Sequence, residues 1–153
     1  MFNLFRKKAT DFFSAEEKQL ITSAIQSAEH RTSGEVRVYV ESKCSYMNAL
    51  DKAVEIFNKL KMHETVQRNA VLVYVAIKDR QLAVYGDKGI HEKVGDAFWN
   101  EAVKKMLSHF NASNYAKGIA HVIEEIGEAL QSHFPYDAKT DINELPDDIV
   151  FGR

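Results

Sequence analysis

The chain has 153 residues, 45% hydrophobic and 27% charged, the size and make-up of one globular domain with its own core. Twenty Lys and Arg against 22 Asp and Glu leave a net charge of −2, so the positive footprint of a nucleic-acid binder is missing. The lone cysteine, Cys44, excludes an internal disulfide, and no Cys/His spacing reads as a zinc site.

Phe2, Leu4 and Phe5 precede Arg6, Lys7 and Lys8, and no apolar stretch of the signal-peptide kind follows. The longest apolar run, over 70–77, is far short of the ~20 residues of a membrane span. Residues 1–13 read as a lead-in that packs its Phe side chains on the domain, with a short amphipathic membrane foot as the alternative. The expectation is a soluble, cytoplasmic chain without a transmembrane segment and without a nucleic-acid partner.

Ser14-Ala15-Glu16-Glu17 is a capping box, and Leu20, Ile21, Ala24, Ile25 and Ala28 behind it repeat at helical spacing. The spacing predicts a helix over 15–31, ended by Thr32-Ser33-Gly34. Residues 35–41 then alternate with three valines on one face, the pattern of a half-buried strand. Helical period returns over 48–61 through Ala53, Ile56, Phe57 and Leu60. The continuous apolar run over 70–77, rich in β-branched residues, predicts a strand covered on both faces. A turn over 78–80 leads back into a hairpin strand over 82–85. Gly86-Asp87-Lys88-Gly89 reads as a loop, because glycine on either side permits a sharp reversal. Two long helices follow, one striped by Val94, Phe98, Ala102, Met106 and Phe110, the other by Ile119, Val122, Ile126 and Leu130, stopping at Phe134-Pro135. Beyond Pro135 the chain turns acidic and loses its period, although 149–151 could add a short edge strand.

The order α-β-α-β-β-α-α predicts a three-layer α/β/α sandwich with a small mixed central sheet. The first two strands are parallel and the third antiparallel. That topology puts Glu35, Asn69 and the 86–89 loop at one end of the sheet, and Glu41, Ser42, Asp79 and Arg80 at the other. The domain reading is a lead-in over 1–13, a folded unit over 14–135, and an acidic segment over 136–153 packed on it.

The succession Thr32-Ser33-Gly34-Glu35-Val36, then Thr65 with Arg68-Asn69-Ala70-Val71-Leu72-Val73-Tyr74-Val75, resembles the TPM domain family. So do Asp79-Arg80-Gln81-Leu82-Ala83-Val84-Tyr85-Gly86-Asp87-Lys88-Gly89-Ile90 and, farther on, Phe98-Trp99, Tyr115-Ala116-Lys117-Gly118 and Asn143-Glu144-Leu145-Pro146-Asp147. The later motifs look like the soluble, stand-alone branch. The resemblance spans roughly 14–150. It implies an α/β/α fold, divalent metal binding (commonly calcium), and the acid phosphatase activity of the thylakoid-lumen branch linked to photosystem II repair. The sequence departs from that branch at 86–89, where Gly-Asp-Lys-Gly replaces Gly-x-Gly followed by Leu-Glu.

Read for chemistry, Glu35 opens a strand, Asp87 lies between glycines, and Glu92 and Asp96 follow in the next helix. Hard cations such as Ca²⁺ take six to eight oxygens from carboxylates, carbonyls and water. Acids near a helix N-terminus also suit its dipole without any metal. Asp141, Asn143, Glu144 and Asp147 add oxygen side chains two and three residues apart, without an EF-hand pattern. Without an ion the carboxylates of Glu35, Asp87 and the acidic tail repel one another, so neutralising Asp87 is expected to leave the metal-free stability unchanged or slightly raised. Other constellations are poorer: six histidines lack metal spacing, the 86–89 loop matches no phosphate fingerprint, and Cys44 has no assignable base. Two functions follow. The first is a Ca²⁺-preferring regulatory or interaction module with an unnamed protein partner. The alternative is a metal-assisted phosphatase acting on phosphomonoesters.

Overall fold

Ser14 opens the first helix as its spacing predicts: its hydroxyl accepts the Glu17 N–H at 3.1 Å, and Glu17 Oε1 accepts the Ser14 N–H at 2.9 Å. The computed structural model describes residues 11–44, 47–111, 114–136 and 149–152. Within them run α1 (Ala15–Glu29), β1 (Glu35–Glu41), α2 (Ala49–Lys59), a single 3-10 turn (Met62–Glu64), β2 (Ala70–Ala76), β3 (Gln81–Gly86), α3 (Lys88–Asn111), α4 (Tyr115–His133) and β4 (Val150–Phe151). Asn48, whose side chain accepts the Asp51 N–H at 2.8 Å, caps α2. Among the described residues no helix is long and apolar enough to cross a membrane.

The strands lie in the order β3-β2-β1-β4. β1 is parallel to β2 with Glu35 opposite Ala70, and β3 is antiparallel to β2 with Gly86 opposite Val71. The short β4 adds in parallel to β1, with Val150 opposite Tyr39. Because successive strand side chains point to opposite faces, each strand feeds two cores. Val36, Val38 and Val40 of β1, Val71, Val73 and Val75 of β2, and Leu82 and Val84 of β3 pack on the face covered by α1, α3 and α4. Leu72 and Tyr74 of β2 and Ala83 of β3 pack against Ala53, Ile56 and Phe57 of α2 and Met62 on the other face. The chain is therefore an α/β/α sandwich with three helices on one side of a small mixed sheet and α2 on the other.

β1, expected to be half-buried, is buried along its length except at Tyr39. Two further features differ from the sequence reading. No loop occupies 86–89: β3 runs to Gly86 and α3 begins at Lys88. The glycines are there because a Cβ does not fit. One on Gly86 would lie 2.3 Å from the Trp99 ring, and one on Gly89 would lie 2.2 Å from the Gln67 carbonyl oxygen. The second difference is a break inside α3 at Gly95 (φ 77°, ψ 174°), a left-handed backbone that glycine adopts without steric cost. The oxygen-bearing residues Asp141, Asn143, Glu144 and Asp147 lie outside the described residues.

Candidate functional site

Parallel β1–β2 and antiparallel β2–β3 pairing bring the start of β1, the start of β2 and the end of β3 side by side. This is the end of the sheet expected from the topology. It carries a row of buried polar residues: Glu35 is 2% exposed, Asn69 1% and Asp87 2%. Asp87 donates its N–H to the Ala70 carbonyl at 2.9 Å. Its Oδ1 accepts the N–H of Lys88 at 2.8 Å, capping the first turn of α3.

The rest of Asp87 belongs to Arg68. The guanidinium donates from Nε to Oδ2 at 2.6 Å and from Nη2 to Oδ1 at 2.8 Å, a bidentate fork. These bonds hold the guanidinium above its ordinary pKa, so it stays a cation throughout the working range. Arg68 reaches Asp87 from a left-handed backbone (φ 52°), a conformation that costs a non-glycine residue about 1–2 kcal/mol. Its carbonyl accepts the Gly89 N–H at 2.8 Å, stitching this turn to the start of α3. Non-glycine residues held in that region mark sites where the surroundings over-determine the backbone.

Asn69 is placed by the Thr65 hydroxyl, which accepts its N–H at 3.3 Å, and its Nδ2 reaches Ser33 Oγ at 3.5 Å. Its Oδ1 is buried and accepts no hydrogen bond among the described residues. Glu35 opens β1 two strands from Asp87, a separation of about 10 Å from strand spacing. Glu92 and Asp96 do not join the row. Both are exposed, and Asp96 Oδ1 lies 3.6 Å from His91 Nε2. Among the described residues no three His, Cys, Asp or Glu side chains converge.

A groove of about 1060 Å³ passes this end of the sheet, lined by Arg68, Asp87, Lys88, His91 and Trp99 among others. The Trp99 Nε1–H donates to His91 Nδ1 at 3.0 Å. Nδ1 accepts that bond as the unprotonated nitrogen of the ring. His91→Phe removes the acceptor and should shift the emission of Trp99, the chain's single tryptophan. Emission unchanged in His91→Phe would contradict the bond.

At the other end of the sheet the polar groups are spent on one another. The buried Tyr74 hydroxyl donates to Glu41, and burial first, then that bond, raises the phenol well above its ordinary pKa. Asp79 Oδ2 accepts the Cys44 N–H at 2.7 Å, and Cys44 Sγ–H donates to the Met47 carbonyl at 3.2 Å. Arg68 is the residue that sequence reasoning missed as a site member. The hairpin register could have found it, since carrying the pairing one step past Val71 and Gly86 sets Asp87 opposite Ala70, close to Arg68.

A family model described as the TPM domain matches residues 7–129. Among solved structures, the NMR structure of the BA42 protein from the psychrophilic bacterium Bizionia argentinensis is 41% identical, covers 92% of this chain and 96% of that one, and has a TM-score of 0.84. The N-terminal domain of the cg2496 protein from Corynebacterium glutamicum is similar in fold at 14% identity (82% and 79% covered, TM-score 0.65). So is the N-terminal domain of a P. gingivalis protein at 14% identity (82% and 82% covered, TM-score 0.67). No curated protein matches the sequence. With four-fifths of its length under the family model and a relative two-fifths identical over nearly the whole fold, the chain belongs to the TPM domain family.

Proposed function

We propose that this TPM-domain chain is a divalent-cation-binding module, preferring Ca²⁺, which works by ordering the surface around the Glu35–Asn69–Asp87 end of the sheet. The observation that carries the reading is the Asn69 Oδ1, a buried oxygen that accepts no hydrogen bond among the described residues, at the end of the sheet where Glu35 and Asp87 are also buried. A carboxamide oxygen and carboxylates are hard donors of the kind Ca²⁺ takes. The described residues supply only part of such a shell, and Asp87 fits it only if Arg68 withdraws, since both its oxygens are taken. Asp87 would then exchange a guanidinium for the ion. Asp141, Asn143, Glu144 and Asp147 are the remaining oxygen donors in the proposal. An ion bound here supplies charge neutralisation and cross-linking of segments rather than chemistry on a substrate.

The phosphatase alternative draws no support from a specific arrangement. Asp87, the acid best placed to act as a base, is held by Arg68, and the first amide of α3 is capped by that same carboxylate. A thermal-shift series tests the proposal. Calcium at a hundred times its Kd should add about 2.7 kcal/mol of stability. Asp87→Asn should lose most of that gain, and p-nitrophenyl phosphate should not turn over with or without the ion. If millimolar Ca²⁺, Mg²⁺ and Mn²⁺ each leave the melting temperature unmoved, the proposal is wrong.

A further inference from the structure

The six histidines show no metal spacing along the chain, yet two of them meet across the seam between α3 and α4. The imidazoles of His109 and His121 have ring centroids 5.6 Å apart and planes tilted by 45°. The approach is built in at Gly118, one turn before His121 on α4. A Cβ on that glycine would lie 2.7 Å from the His109 Cβ, so its absence is what lets His109 lie against α4. Residues three apart share a helix face, which sets His121 beside the ring that Gly118 admits. His109 is half-buried, and its ring nitrogens make no hydrogen bond among the described residues.

The second ring already has its outer partner. His121 Nε2 lies 3.1 Å from Glu125 Oε1, one turn farther along α4, and Lys105 Nζ of α3 donates to the same oxygen at 2.9 Å. In the neutral ring the carboxylate takes the Nε2–H, which leaves Nδ1 with the free lone pair. Metal-bound imidazoles carry this same arrangement: a carboxylate on the other ring N–H fixes the tautomer and makes the ring a better donor. Imidazole nitrogens stand about 2.0–2.1 Å from zinc, so two rings on one tetrahedral ion have centroids roughly 5–5.5 Å apart. The pair is a small side-chain adjustment from that spacing. Imidazole suits Zn²⁺, Cu²⁺ and Ni²⁺, whereas hard ions prefer oxygen.

We propose that His109 and His121 are the two protein ligands of a surface site for a late first-row transition metal such as Zn²⁺. The ion ties α3 to α4 and completes its shell with water. Glu125 is a positioning residue that acts through His121, and Lys105 holds its carboxylate in place. The site shares no residue with the Ca²⁺ proposal and does not depend on it.

The test uses the full chain and Zn²⁺ alone, near neutral pH in a buffer that does not bind metal, with ring nitrogens followed by long-range ¹H–¹⁵N NMR. One equivalent of Zn²⁺ is expected to move the His109 and His121 rings on one curve, with His121 changing at Nδ1. The rings of His30, His63, His91 and His133 should stay in place. His109→Gln and His121→Gln, neither in the core, should each weaken Zn²⁺ at least tenfold, while His63→Gln leaves the affinity unchanged. Glu125→Ala should weaken it about tenfold and leave the metal-free His121 ring as a mixture of tautomers. Glu125→Gln, which still accepts the Nε2–H, should restore the single tautomer. A Zn²⁺ affinity within twofold of wild type in either histidine variant overturns the proposal, and so does a shift confined to one of the two rings. A His121 tautomer indifferent to Glu125→Ala overturns the part given to Glu125.

Discussion

Val73→Asp is expected to abolish the cooperative thermal transition. Val73 is fully buried at the middle of β2, opposite Val38 on one side and Val84 on the other, and faces the larger core. An unpaired polar group in such a place costs roughly 2–7 kcal/mol and a carboxylate more. The whole stability of a domain is about 5–15 kcal/mol. Val66→Asp is the matched control: Val66 is 88% exposed, and its replacement should change stability by no more than about 0.5 kcal/mol. Circular-dichroism melts separate the two. A Val73→Asp transition close to wild type would contradict the place of β2 at the heart of the sheet.

Gly89→Ala should destabilise the chain by about 1–3 kcal/mol or more, the range for forcing extra volume into a packed site. The new Cβ would lie 2.2 Å from the Gln67 carbonyl oxygen and 2.5 Å from that of Arg68, and backbone cannot swing aside as a side-chain tip can. Relief requires the 67–68 turn to move, which pulls the Arg68 guanidinium from Asp87. Gly86→Ala meets the Trp99 ring instead, so it should shift the emission of that tryptophan more than Gly89→Ala does. Chemical denaturation with fluorescence detection reads both quantities. A Gly89→Ala chain as stable as wild type would show that the turn is not fixed against α3.

Much of this architecture is legible because its signals are local. The Ser14–Glu17 capping box, the valine alternation of β1 and the unbroken apolar run of β2 each depend on residues within one element. The placement of Glu35, Asn69 and Asp87 at one sheet end follows from strand direction alone. What escapes is set by contacts distant in sequence. Flanking glycines suggest a loop around Asp87, whereas they are needed because Trp99 and the 67–68 backbone approach too closely for a Cβ. The break at Gly95 is hidden for a similar reason: a glycine within a helical stripe is ordinarily tolerated, and nothing local announces its positive φ.

The same limit governs Asp87. As sequence it is one of several mutually repelling acids, and its neutralisation should not harm the metal-free chain. Its fork with Arg68, 19 residues away, reverses that expectation, because Asp87→Asn now weakens an ion pair and the cap on α3.

The cation proposal thus turns on which positive charge Asp87 prefers. The direct measurement is a Ca²⁺ titration of the ¹⁵N-labelled chain that follows the Arg68 Nε–H and the Asn69 side-chain amide together. Both resonances are expected to move on one saturation curve, with the Arg68 proton exchanging faster as Asp87 releases it, and Arg68→Gln is expected to tighten the apparent affinity. An Arg68 Nε–H that keeps its shift and its protection at millimolar Ca²⁺, with Asn69 unmoved, would contradict it.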